Sequence, residues 1–179
     1  MANCFLHKTP VPIIIEAVQQ MHPFFKLLIL ILAVAFFVTH VMERYTVKGM
    51  IRRMARGRMK VSPKKFLRIR NETGHRQKDS RRYISAKYDF AGVYVIYNKT
   101  QRLYYVGQAN KVLQRVNSHF TGHGNGDVYA DFSYGDRFSI RTIRLRGSGC
   151  ATLNELERKY IKKYDAFGKG YNRTAGNKG

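Results

Sequence analysis

Acidic residues are scarce in this chain: 11 Asp and Glu stand against 33 Lys and Arg in 179 residues, a formal net charge of +22. An excess of that size on so small a protein calls for a polyanionic partner, either a nucleic acid or an anionic membrane surface. Cysteine is nearly absent. Cys4 and Cys150 lie far apart, with no CxxC spacing and no His cluster beside them, which argues against a disulfide scaffold and a zinc finger. Long apolar runs occur once, near the N-terminus. What the chain does have is 44% hydrophobic and 13% aromatic residues, enough for a packed core and against wholesale disorder. The length suits one compact domain with an appendage.

Charge and apolar residues are unevenly distributed. Residues 1–42 hold two basic groups and one acid; residues 43–82 hold fifteen Lys and Arg against three acids; residues 83–179 hold sixteen against seven, with most of the tyrosines. Four segments follow: 1–23 at the N-terminus, an apolar segment 24–42, a basic linker 43–82, and a compact domain 83–179.

The apolar run is unbroken from Leu27 to Val38, and from Phe24 to Met42 only Lys26, Thr39 and His40 interrupt it. Nineteen residues at the rise of a helix span about 28 Å, close to the thickness of a hydrocarbon core. The run is apolar all round, and no second long helix is expected to cover it, which disfavours a buried soluble helix. The sequence after it, Thr39-His40-Val41-Met42, lacks a small-residue cleavage site, which disfavours a cleaved signal peptide. The expectation is one transmembrane helix. The eleven Lys and Arg between Arg44 and Arg70 place the C-terminal side in the cytoplasm by the positive-inside rule. Alternatively, translation starts at Met42, Met50, Met54 or Met59, and the protein is cytoplasmic without the apolar segment.

The basic stretch is expected to be solvated, as a stop signal beside a membrane helix, as an arm that tracks phosphates or lipid headgroups, or as both.

From Tyr83 onward the pattern becomes that of a small α/β domain. Gly92–Tyr97 and Leu103–Val106 are β-branched and aromatic runs around the polar turn 98–101, a hairpin signature. Asn110 is placed to cap a short helix with Val112, Val116 and Phe120 on its apolar stripe. Arg115 and His119 then share one face. Residues 121–135 read as a loop and Arg137–Leu145 as a third strand. Thr152-Leu153-Asn154-Glu155 matches a capping box opening a helix to about Tyr164. On that helix Glu157 falls on the flank of the apolar stripe, where a carboxylate is costly unless it meets a cation or a metal.

These residues together resemble the GIY-YIG nuclease family. Its two name motifs stand here as Gly92-Val93-Tyr94 and Tyr105-Val106-Gly107, with Val for Ile in both and the tyrosines eleven residues apart. Arg115 follows Gly107 by eight residues, as the family's helix arginine does, and His119 comes one turn later. Glu157 precedes Ile161 by four, and Tyr171-Asn172 matches the family's closing aromatic–asparagine pair. The resemblance covers about residues 90–172 and says nothing of residues 1–82.

It implies a domain with a three-stranded antiparallel sheet flanked by helices, and a metal-dependent endonuclease acting on DNA. In that reading Glu157 holds one Mg²⁺ or Mn²⁺ ion; no Asp/Glu cluster exists to hold two. Tyr94 acts as general base or polarises the water. Arg115 donates a forked pair of hydrogen bonds to the scissile phosphate. Tyr105 and Asn172 orient the phosphate or the base, and His119 carries a proton. The rival from another class is a non-catalytic, membrane-bound DNA-tethering protein on a decayed nuclease fold. No zinc knuckle or helix-turn-helix pattern is visible, so weak sequence preference is expected.

Overall fold

The computed structural model describes residues 21–76 and 82–176. The chain divides into two units, residues 1–44 and 45–179.

The N-terminal unit contains helix α1 (Pro23–Tyr45). Over Pro23–Met42 its mean hydropathy is 2.4 and none of it is buried. By length and composition it qualifies as a membrane span or a signal sequence.

The second unit begins within the stretch expected to be a solvated linker, and that expectation is corrected. Thr46 accepts a hydrogen bond from Gly49 N and caps α2 (Val47–Ala55). Met50, Ile51, Met54 and Ala55 of α2 are buried on one face, while Arg52 and Arg53 are exposed. Strand β1 (Arg56–Val61) follows, exposing Arg58 and Lys60 and burying Met59 and Val61. Ser62 caps α3 (Pro63–Thr73), whose first helical residue is Pro63, and Phe66 and Ile69 point into the core. The basic side chains are the solvated face of folded elements, because the apolar residues between them recur at helical and strand periods.

Strands β2 (Gly74–Arg76) and β3 (Arg82–Ile84) pair as a small separate ribbon. The main sheet is built from β4 (Gly92–Asn98), β5 (Leu103–Ala109) and β6 (Phe138–Arg144), with β1 as a fourth strand in the order β1-β6-β4-β5. All pairings are antiparallel. The three expected strands are present; the fourth was hidden in the basic segment.

Helix α4 (Val112–His119) follows β5. Asn110 does not cap it. Asp89 does so from before β4, its carboxylate accepting from Leu113 N at 2.8 Å and Gln114 N at 3.0 Å. The stretch 121–135 is not all loop: Asn125 caps α5 (Gly126–Ser133). Helix α6 (Leu153–Tyr164) starts at the Thr152 cap, as the capping box predicts.

The alternation of β4 divides the core. Tyr94 and Ile96 face a cluster with Met54, Phe66, Ile69, Val116 and Phe120, supplied by α2, α3 and α4. Val93 and Val95 face Val106, Leu156 and Ile161, supplied by β5 and α6. Helices α4 and α6 therefore approach the hairpin from opposite faces.

Candidate active site

Tyr94 is 1% exposed, and its cross-strand partner on β5 is Gly107. A Cβ on Gly107 would lie 2.3 Å from the Tyr94 hydroxyl oxygen. The last residue of the Tyr105-Val106-Gly107 motif thus gives the phenol its space.

The Tyr94 hydroxyl lies 3.0 Å from Nε2 of the fully buried His119. The other ring nitrogen, Nδ1, accepts from Asn125 N at 2.8 Å and so carries no proton. Burial, with the Arg115 charge nearby, lowers the imidazole to about 3, so the ring is neutral. Its single proton sits on Nε2 and is donated to Tyr94. A Cβ on Gly124 would lie 2.5 Å from Nδ1, so the loop before α5 passes over the ring only as glycine. His119 is thus held between the Tyr94 hydroxyl and the Asn125 N–H.

Tyr105 completes an aromatic group. Its ring centroid is 6.0 Å from that of Tyr94 and 5.0 Å from that of His119. Burial pushes the Tyr94 phenol well above its ordinary range, Tyr105 adds to the rise, and Arg115 opposes it by charge and hydrogen bonding. Arg115 is solvent-exposed on α4 one turn before His119, so one helix brings both to the same hydroxyl.

Glu157 reaches the hairpin from the opposite face. It is 8% exposed, and its Oε2 accepts from Gln108 Nε2 at 2.9 Å. The same amide nitrogen donates to Asn154 Oδ1 at 2.6 Å. No Lys or Arg forms an ion pair with Glu157 among the described residues. Gln108 immediately follows Gly107. Successive strand residues point to opposite faces, so one step along β5 separates the residue that admits Tyr94 from the residue that holds Glu157.

Asn172 pairs with the β5 backbone. Its Oδ1 accepts from Val106 N at 2.8 Å and its Nδ2 donates to Val106 O at 2.7 Å. Tyr171 N donates to Tyr104 O at 2.8 Å beside it. The tail therefore pairs with the free edge of β5 like a short fifth strand, and Asn172 holds the backbone between Tyr105 and Gly107.

Tyr94, Tyr105, Arg115 and His119 are brought together, while Glu157 and Asn172 bear on the same stretch of β5 from elsewhere. Gln108, Asn125 and Gly124 belong to the arrangement and were missed in the sequence. Gln108 carries a weak signal, a polar residue following a strand motif; the Asn125 contact is made by a backbone N–H, which no residue type announces.

Searches of curated proteins and of solved structures return no match to this chain. The family model of the GIY-YIG catalytic domain matches residues 90–172, from the residue after Asp89 to Asn172. This span holds the hairpin, Arg115, His119, Glu157 and Asn172 in order. Residues 90–172 of this chain are therefore a catalytic domain of the GIY-YIG nuclease family.

Proposed function

We propose that this protein is an endonuclease that hydrolyses DNA phosphodiester bonds with one divalent cation, Mg²⁺ or Mn²⁺, and little sequence preference, tethered to the cytoplasmic face of a membrane by α1. The observation that carries it is Glu157. A buried carboxylate held by a neutral amide, with no ion pair among the described residues, is costly to keep unless a cation uses it.

No group of three His, Cys, Asp or Glu occurs among the described residues. The donor set therefore fits an ion that binds through one carboxylate, waters and substrate phosphate, as Mg²⁺ does. Glu157 would hold it, and when bound such a cation neutralises charge building on the phosphate. The other roles follow from the side chains. Arg115, exposed and forked, clamps the scissile phosphate. Tyr94 takes its place at the attacking water. His119 donates to its oxygen and the Arg115 charge acts on it, which favours the phenolate against the rise caused by burial. Tyr105, with its ring beside that of Tyr94, orients the phosphate. The apolar α1 supports the tether, and the Lys and Arg after it support the cytoplasmic orientation.

The test uses the full chain in uncharged detergent with supercoiled plasmid and Mg²⁺ or Mn²⁺. Glu157→Ala and Arg115→Ala should each lower nicking by roughly a hundredfold or more while plasmid binding persists. Activity should fall steeply as salt rises from about 50 to about 200 mM. Wild-type protein that binds plasmid and never cuts it would favour the non-catalytic tether.

A further inference from the structure

A second basic feature lies outside the catalytic group. A groove of about 960 Å³ opens between α2, the start of β1, the 3₁₀ turn Ala86–Tyr88 and the loop after β6. Seven of the thirteen residues lining it are Lys or Arg, and none is Asp or Glu. Arg56 and Arg58 come from β1, Arg144 and Arg146 from the end of β6 and its loop, and Lys48 and Arg52 from α2. Cations gathered from three sequence regions around one concavity make a strongly positive surface that favours an anion with several charges.

Its position relative to the catalytic group follows from the sheet register. Arg56 pairs with Ile143, Arg144 pairs with Gly92, and Gly92 pairs with Ala109. The groove is thus at the end of the sheet where Tyr94 faces Gly107 and Gln108 holds Glu157. From β5 to β6 is two strand spacings and to β1 three, about 10 to 14 Å. That span equals roughly three to four base steps at 3.4 Å each.

We infer that this groove binds the phosphate backbone of the substrate nucleic acid a few base steps from the scissile bond. This rests on the nuclease reading for the nature of the substrate. Most of its cations, Lys48 to Arg58 and Lys87, come from before the matched domain. The groove is therefore a binding site that this chain adds to its nuclease domain. Contacts there go to charge and spacing, so it sets affinity and register without reading bases.

The test measures anisotropy of a labelled duplex bound to the full chain in uncharged detergent with EDTA, so that no cleavage intervenes. The triple variant Arg56→Ala, Arg58→Ala, Arg146→Ala should bind about tenfold or more weakly at about 100 mM salt, with the slope of log affinity against log salt reduced by about 2 to 3. The same three positions changed to Lys should keep the slope, which separates lost charge from lost folding. If the wild type never cuts but the triple Ala variant still loses affinity and slope, the groove stands and the nuclease reading falls. An unchanged slope in a folded triple variant overturns the inference. If that variant instead loses phosphatidylserine from mixed micelles, the groove is a lipid headgroup site.

Discussion

The Tyr94 hydroxyl fills the space in which a side chain on Gly107 would begin, 2.3 Å from the position of its Cβ. The two halves of the hairpin motif are thus one steric unit: the first strand supplies the phenol and the second supplies its absence of obstruction. Backbone pairing sets the two residues directly opposite each other, so an added Cβ can be relieved only by moving the phenol.

Gly107→Ala should therefore displace the phenol from His119. We expect nicking to fall at least tenfold and stability to drop by about 1–3 kcal/mol, the usual cost of overpacking. Gly126→Ala, where nothing lies within 4 Å of an added Cβ, should change neither. Plasmid nicking and thermal melting on both variants check this.

His119 makes a pH prediction with a definite sign. Its folded value is lowered to about 3 from the ordinary 6.5, so the unfolded chain binds the extra proton between those limits. The stabilisation is complete above about pH 6.5 and is lost as pH falls towards 3, at about 1.4 kcal/mol per unit. Denaturant unfolding of wild type and His119→Gln across pH 4 to 8 should show the wild-type slope in this window flattened in the variant. Parallel slopes would contradict the neutral, buried ring.

Asn172→Ala removes two hydrogen bonds and bares the Val106 N–H and carbonyl. We expect a loss of about 1–3 kcal/mol. Because Val106 lies between Tyr105 and Gly107, kcat should fall with KM little changed, as for a positioning residue. A rise in KM alone would point instead to direct phosphate contact.

The folded basic segment predicts that a fragment starting at Tyr83 is unstable, since it lacks β1 and the buried Met54, Phe66 and Ile69. In the full chain, Phe66→Ala should cost about 3–5 kcal/mol. Thermal melting and proteolysis of fragments beginning at residue 45 and residue 83 distinguish an integral segment from a linker; equal stability would restore the linker.

The local sequence determined much of this protein. The hairpin, the Thr152 cap, the unbroken apolar run of α1 and the spacing of Tyr94, Tyr105, Arg115 and Glu157 are all written at short range, where turn chemistry, periodicity and run length act. The basic segment misled because charge density was weighed over period: Thr46 and Ser62 are caps, and Met59 and Val61 alternate with basic residues, signals a closer reading of residues 46–63 contains. Tertiary structure alone decided the rest. Asp89 caps a helix from more than twenty residues away, Gln108 meets Glu157 49 residues on, and Asn172 meets Val106 across 66. Such pairings depend on which faces the folded sheet brings together. A residue type shows what bonds it can make, and only the packed chain decides which partner stands within reach.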